Sequence, residues 1–182
     1  MVGVGEGGER SALARVCIVN EAGDVVLDMY ARPNERVTDW RTDVSGILPR
    51  HLRDAPPEEE VRRAVARVIR GRVLVGHDLA NDLAALALTH PKAGTRDTAT
   101  HEPFMGRRGQ KLVKRSLREL AKEHLGMEIQ EGAHDPADDA RAALYLYMRH
   151  KASFGVPGEG AAADAAAPGW EDLASRGADL QE

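Results

Sequence analysis

The first half of the chain alternates between short apolar runs and turn-prone segments, which is the pattern typical of β-strands. Residues 12–19 and 25–31 are rich in β-branched side chains, and the linker NEAGD lies between them. Two such runs joined by a turn-rich linker predict a β-hairpin. A third run, VLVGH at residues 73–77, is short and apolar and predicts a buried strand.

Apolar residues recur at helical spacing in several other segments. The clearest pattern starts at Val61, with apolar residues at i, i+3, i+4, i+7 and i+8. Three glutamates precede this pattern and a glycine follows it, as expected for the two ends of a helix. Asp78 is predicted to cap the next helix, and Asp135 followed by Pro136 to start the last one. The predicted helices cover residues 49–54, 58–71, 79–90, 116–126 and 135–151.

Strands that come first and helices that alternate later predict an α/β fold with a mixed sheet, antiparallel in its first half. The length of 182 residues fits one domain, and 42% apolar with 30% charged residues is typical of a globular protein. Only 4% of the residues are aromatic. We therefore expect a core built mainly from Leu, Val and Ala.

The negative charge is concentrated at the end of the chain. Residues 155–182 are rich in Ala, Gly and Pro, and they carry six acidic residues against one basic residue, Arg176. The net charge of −4 therefore divides into −5 for this tail and +1 for residues 1–154. A segment of this composition buries too little apolar surface to fold. We expect a disordered tail at 155–182 that follows a single domain at 1–154.

The composition also excludes several classes of protein. The single cysteine, Cys17, excludes an intrachain disulfide and a structural zinc site built on cysteines. No apolar run reaches the length of about 18 residues needed to span a membrane. The first residues lack the apolar stretch of a signal peptide. These features predict an intracellular protein without a membrane partner.

Two motifs suggest chemistry that their context does not support. Gly3, Gly5 and Gly8 form G-x-G-x-x-G, but a dinucleotide-binding loop needs a strand before it and a helix after it, and here a strand follows. The His-Asp dipeptides at His77 and His134 are similar to the metal ligands of the HD-domain phosphohydrolases. Those proteins are all-helical, whereas His77 ends a predicted strand.

Two carboxylates fall on the apolar faces of predicted helices. Asp82 lies three residues after Leu79, and Asp139 lies four residues before Ala143. Asp138 falls instead on a face that is predicted to meet solvent. An inward-facing carboxylate is costly unless it is paired or bound to a metal. The spacing therefore separates Asp139 from Asp138 as a candidate functional residue.

These features also have simpler structural explanations. Acidic residues near a helix start, such as Asp82 and Asp139, stabilise any helix through its dipole. His134 lies five residues before Asp139, which favours a functional role but does not decide it. A cationic run at residues 104–118 has six basic residues and no acidic one. This run is compatible with phosphate binding and equally with a solvated loop and helix face.

Seven segments together resemble the DEDDh family of 3′–5′ exonucleases, specifically its RNA exonuclease 4 type. They are MVGVG, ARVCIVNEAGDVV, VTDWRTDVSGI, LVGHDLANDLAAL, HPKAGTRDT, SLRELAKEHLG and HDPADDARAALYLY, within residues 1–153. The resemblance implies an RNase H-like fold, in which a mixed five-stranded sheet is flanked by helices. It also implies hydrolysis of nucleic acid, RNA in preference to DNA, with a role in ribosomal RNA processing in the nucleus or nucleolus.

The same resemblance assigns roles to single residues. The second family motif places an aspartate five residues after the His of Gly-His, which here is Asp82. The third motif, His-x4-Asp, falls on His134 and Asp139. The family uses four carboxylates, one histidine and two Mg²⁺ or Mn²⁺ ions. The resemblance thus implies that His134 is the general base, Asp139 a direct metal ligand and Asp82 a ligand of the second ion.

One family motif is missing from the sequence. The first motif is Asp-x-Glu, and in this branch it stands immediately before MVGVG. The resemblance therefore implies an exonuclease domain that lacks this motif and most of the first central strand. Glu6 and Glu9 fall in the loop beyond that strand and are not expected to replace it. The sequence is then either a fragment or mis-started gene model of an active enzyme, or a product with a damaged site and little activity.

The alternative function is a catalytically inactive nucleic-acid-binding module. Such a module would bind phosphates through Lys111, Lys114 and Arg115 of the cationic run, without hydrolysis. The sequence indicates no protein partner.

Overall fold

The structure of the protein is a computed structural model that describes residues 1–130, 132 and 134–155. Apart from Gly155, the predicted acidic tail lies outside these residues, so its disorder stays a prediction. Among the described residues, no helix is both long enough and apolar enough to cross a membrane.

The strands form an α/β fold with four hydrogen-bonded groups among the described residues. The groups are the antiparallel sheet β2-β1-β5, the antiparallel hairpins β3-β4 and β8-β9, and the parallel pair β6-β7. This confirms the predicted hairpin and a mixed α/β fold that is antiparallel in its first half, with the described strands in four separate groups. The strands are β1 (Val2–Val4), β2 (Arg10–Ala12), β3 (Arg15–Val19), β4 (Val25–Tyr30), β5 (Val37–Asp39), β6 (Leu74–Gly76), β7 (Thr95–Asp97), β8 (Gly106–Arg108) and β9 (Lys111–Val113).

Six α-helices lie within the described residues, and most match the predicted segments. The last one begins as expected, with Asp135 at the N-cap and Pro136 in the first turn. The helices are α1 (Thr42–Ser45), α2 (Pro49–Arg53), α3 (Glu58–Ile69), α4 (Leu79–Ala85), α5 (Leu117–Leu125) and α6 (Pro136–His150). The four-residue helix α1 was not predicted from the pattern.

The helix predicted at 79–90 is shorter than its apolar pattern suggested. Helix α4 ends at Ala85, and Ala87 has a left-handed backbone with φ of 47°. The N–H of Ala87 donates to the carbonyl of Ala84, and the N–H of Leu88 donates to that of Leu83, both at 3.0 Å. These two bonds turn the chain and bury Leu88 outside the helix. The apolar pattern therefore predicted the burial of Leu88 correctly and the length of α4 wrongly.

The core is made mainly of aliphatic side chains, as the composition predicted. One cluster joins α5 and α6 through Leu120 and Leu146, with Phe104 as its one buried phenylalanine. A second cluster joins α3 to the β3-β4 hairpin through residues such as Val61. A third lies under β1, around Val2. Helix α6 contacts both β3 and β6, so it spans two of the strand groups.

A cavity of about 1120 Å³, called here the central cavity, lies between these strand groups. Residues of β3 and β6 line it, together with side chains of α3, α4 and α6, and Met1 lies on its wall. Within the described residues, β3 pairs only with β4 and β6 pairs only with β7. Each of the two strands therefore has one edge without a strand partner. The missing central strand stays a prediction, because the structure does not test it.

Candidate active site

The start of helix α6 brings together two of the predicted site residues. The Asp135 carboxylate accepts the N–H of Ala137 at 2.8 Å and so fixes the first turn. His134 stands just outside the helix, where its N–H donates to the carbonyl of Val44 at 3.0 Å. Its Nδ1 lies 3.5 Å from Oδ2 of Asp139. The His-x4-Asp spacing thus places an imidazole beside a carboxylate on the wall of the central cavity.

Asp139 lies in a more enclosed environment than its neighbour Asp138. The exposed fraction of the Asp139 side chain is 25%, against 61% for Asp138. Burial raises the pKa of Asp139, while the hydrogen bond that Nε2 of Gln130 donates to Oδ1 at 2.9 Å opposes the rise. Asp138 instead pairs with Arg141 at 3.1 Å at the surface. This confirms the difference in orientation that helical spacing predicted.

Asp82 projects from α4 toward the same central cavity. Burial among protein atoms raises its pKa to about 6, and the positively charged amino group of Met1 partly opposes this rise. Burial in turn lowers the pKa of the Met1 amino group. Asp82 lines the cavity, as its predicted inward orientation requires, but it is exposed there, whereas Leu79 is buried. Because Asp82 is exposed, solvent screens its charge.

Asp97 is a structural residue of the site that the sequence analysis missed. It ends β7, next to the end of β6, and its carboxylate accepts three backbone N–H groups. The donors are Asp78 at 2.8 Å, Leu79 at 3.1 Å and Ala99 at 2.9 Å. Asp78 has a left-handed backbone and makes no side-chain cap of its own, contrary to the prediction. Asp97 therefore caps α4, the helix that carries Asp82, from a neighbouring strand.

Replacing Asp97 with alanine is expected to lower the melting temperature by roughly 10 °C. The change leaves three backbone donors without their charged acceptor, at a cost of about 2–4 kcal/mol. The loss can be measured by thermal denaturation followed by circular dichroism. Asp138→Ala is the matched control and should cost about 1 kcal/mol or less, because its ion pair is exposed. Equal losses in the two variants would show that Asp97 is not the cap of α4.

Two of the three predicted phosphate-binding cations already have carboxylate partners. The ammonium of Lys114 contacts Asp78 at 2.5 Å, and the guanidinium of Arg115 pairs with Glu123. The pair with Asp78 ties the segment after β9 to the loop that starts α4. Lys111 is exposed, and no carboxylate of the described residues pairs with it.

The rejected motifs have structural roles. Gly3 lies in β1, where a Cβ would meet the carbonyl oxygen of Gly8 at 2.6 Å, and a strand follows the glycines. Close packing of the turn at Gly8 against β1 thus accounts for glycine at position 3. The ring of His77 lies 2.9 Å from the Thr98 hydroxyl, and burial lowers its pKa. Asp135 is an N-cap. These contacts give the glycines a packing role, His77 a hydrogen-bond partner and Asp135 a capping role.

The described residues do not fit a two-metal centre by themselves. They contain no group of three or more His, Cys, Asp or Glu side chains arranged to hold a metal ion. Asp82, His134 and Asp139 line one cavity without forming such a group. Mg²⁺ prefers near-octahedral oxygen coordination, and two carboxylates leave much of two such shells unfilled.

Comparison with known proteins gives one family and a set of close relatives. The Exonuclease family (RNase_T) matches residues 1–147. RNA exonuclease 4 of Kluyveromyces lactis is 49% identical over 153 residues, which cover 84% of this chain and 52% of that protein. RNA exonuclease 4 of Saccharomyces cerevisiae is 47% identical over 157 residues, which cover 84% and 53%. The chain spans about half the length of these curated relatives.

Solved structures give the same result for the fold. The Saccharomyces cerevisiae Pan2 pseudoubiquitin hydrolase-RNA exonuclease module in complex with A7 RNA matches with a TM-score of 0.70 and 33% identity, over 83% of this chain and 27% of that chain. The Neurospora crassa Pan2 catalytic unit, with its protease and nuclease domain, matches with a TM-score of 0.68 and 27% identity. That match covers 79% of this chain and 25% of the other.

Proposed function

Because the chain belongs to the exonuclease family over residues 1–147, we propose that its domain, residues 1–154, is a 3′–5′ exonuclease that hydrolyses phosphodiester bonds of RNA. The observation that carries this proposal is the pairing of His134 with Asp139 on the wall of a cavity that Asp82 also lines. The choice of RNA rests on relatives named RNA exonuclease 4 and on a neighbour with an RNA exonuclease module bound to A7 RNA.

Hydrolysis requires a group that accepts a proton from the attacking water, and we assign this role to His134. A neutral imidazole whose Nδ1–H points toward Asp139 leaves Nε2 as the proton acceptor. The separation of 3.5 Å between Nδ1 and Oδ2 is long for a hydrogen bond and would shorten when substrate is bound. The bond from the N–H of His134 to Val44 holds the residue at this position.

Asp82 and Asp139 are proposed to supply two of the carboxylates for divalent metal ions, Mg²⁺ or Mn²⁺. Exonucleases of this family generally use divalent ions. Because two carboxylates do not complete such a centre, we propose that the two others enter with a strand that fills the central cavity and carries Asp-x-Glu. The strand-extended chain is defined here as this sequence preceded by an apolar strand that ends in Asp-x-Glu directly before Met1.

A second candidate function applies to the printed sequence without that strand. The described residues offer no group of three metal ligands, which favours a module that binds RNA with little hydrolysis. Within the described part of the chain, Lys111 is the predicted phosphate ligand without a carboxylate partner, whereas Lys114 and Arg115 are paired. A nuclear or nucleolar setting and a role in ribosomal RNA processing stay predictions that rest on the family resemblance.

The direction of hydrolysis tests the proposed function. With Mg²⁺ and single-stranded RNA labelled at its 3′ end, the strand-extended chain is expected to release labelled mononucleotide as its first product. RNA labelled at its 5′ end should yield a ladder of shortening products. The printed chain should release little in either case. Internal fragments as first products, or equal rates for the two proteins, would contradict the proposal. DNA of the same sequence, used as a competing substrate, measures the preference for RNA.

A further inference from the structure

The β8-β9 hairpin places like charges directly opposite each other on its two strands. Arg108 pairs in register with Lys111, and Arg107 with Leu112. Residues directly opposite on antiparallel strands share one face, and two cations in such a position destabilise the sheet. No carboxylate of the described residues forms an ion pair with Arg107, Arg108 or Lys111, and all three are exposed. The hairpin therefore keeps an electrostatically unfavourable arrangement.

The segment that follows the hairpin is different, because its cations are held by protein contacts. Lys114 pairs with Asp78, directly after His77 at the end of β6. Arg115 in turn pairs with Glu123 on α5. Ser116, the next residue, lines the central cavity. The base of the hairpin is thus fixed at the rim of the candidate active site, and its free cations lie beyond that rim.

The remaining residues of the hairpin indicate how a ligand would be bound. Gly109 closes the turn with φ of 63°, a conformation that glycine adopts without strain. Leu112 and Val113 are 40% and 37% exposed, and the hairpin carries no aromatic residue on which a base could stack. A surface with free cations and no aromatic platform favours contact with a phosphate backbone over readout of base sequence.

We propose that the β8-β9 hairpin is a phosphate-binding arm for single-stranded RNA, with Arg107, Arg108 and Lys111 as its three phosphate ligands. This inference rests on the proposed function for its choice of RNA. It assigns binding to two arginines that were not among the predicted ligands, and it assigns Lys114 and Arg115 to holding the base of the arm. Because bound phosphates would neutralise Arg108 and Lys111, they would also relieve the repulsion between these two residues.

A matched pair of triple variants tests the arm in the 182-residue chain, without the added strand. The hairpin variant carries Arg107→Ala, Arg108→Ala and Lys111→Ala. The control carries Arg53→Ala, Arg67→Ala and Lys92→Ala, which removes the same net charge from exposed positions on other elements. Binding of fluorescein-labelled oligouridylate is followed by fluorescence anisotropy as a function of salt, with EDTA present so that no hydrolysis occurs. The melting temperature of each variant shows that it folds.

The hairpin variant is expected to bind RNA on the order of 10- to 100-fold more weakly at 0.1 M salt, with the slope of log K against log salt smaller by about 2. The RNA affinity of the control should stay within about threefold of that of the unmodified chain. This change is small compared with the loss of phosphate contacts in the hairpin variant. Equal losses in both variants, unchanged binding in the hairpin variant, or no RNA binding by the unmodified chain would each overturn the proposal. If the hairpin variant loses binding while the strand-extended chain hydrolyses no RNA, the result supports the phosphate-binding arm and contradicts the proposed exonuclease activity.

Discussion

The strand-extended chain is expected to melt about 10 °C higher than the printed chain and to hydrolyse RNA where the printed chain does not. The effect on stability follows from the central cavity of about 1120 Å³, which lies between β3 and β6. Each apolar side chain that fills it contributes about 1.5–3 kcal/mol. Thermal denaturation and release of mononucleotides from 3′-labelled RNA measure the two parts of the prediction.

Backbone hydrogen bonds add to this gain. Because β3 and β6 each pair with one strand among the described residues, an inserted strand would find partners on both of its edges. Each new bond contributes about 1 kcal/mol net. Ordering the added residues costs about 1–2 kcal/mol for each backbone unit. The net gain is therefore a few kcal/mol, and α3, α4 and α6 already form the walls that the strand would contact.

Two variants of the extension separate stability from catalysis. An extension that ends in Asn-x-Gln keeps the strand and removes both charges, so it should give the same rise in melting temperature without hydrolysis. An extension whose apolar residues are replaced by serine should give neither effect. If the apolar extension left the melting temperature unchanged, the central cavity would not be the place of a strand. If the Asn-x-Gln form hydrolysed RNA at the full rate, the two added carboxylates would have no catalytic role.

The sequence predicted the parts of this site that depend on local spacing. Asp135 and Pro136 mark the start of α6, and the helical repeat then places Asp139 inward and Asp138 outward. His134 lies beside Asp139 because only the first turn of one helix separates them. These relations involve residues within five positions of each other, so hydrophobic periodicity and capping rules suffice to predict them.

Relations between distant segments could not be predicted in the same way. The capping of α4 by Asp97 joins residues 18 and 19 positions apart, and the pair between Lys114 and Asp78 spans 36 positions. Local propensity does not specify which residue of a neighbouring strand supplies a cap. A usable signal exists for Asp97, because polar residues at the carboxyl ends of parallel strands meet at one edge of the sheet. No comparable pattern indicates that Gln130 contacts Asp139.

Asp139→Asn in the strand-extended chain is expected to lower the rate of RNA hydrolysis by a factor of about 10²–10⁴, because it removes a proposed metal-binding carboxylate and the charge that orients the proposed general base, His134. The carboxylate lies beside His134, where its charge is available to orient the imidazole. Asp138→Asn is the matched control one position away. It removes the same charge from an exposed ion pair with Arg141. Because exposed ion pairs contribute little to stability, its rate should stay within about twofold of that of the unsubstituted strand-extended chain. Single-turnover rates at saturating RNA measure both.

The pH dependence of stability distinguishes this catalytic role from a structural one. Burial raises the pKa of Asp139 in the folded protein above its ordinary value. The folded state therefore holds the proton more tightly than the unfolded state, and the stability that Asp139 contributes at low pH is lost as the pH rises through its folded pKa. Asparagine carries no charge at any pH, so Asp139→Asn should raise the melting temperature at pH 7 and leave it unchanged near pH 3. A variant that is more stable at pH 7 and yet inactive has lost a functional group and kept its fold. A lower melting temperature at pH 7 would instead show that the Asp139 carboxylate stabilises α6.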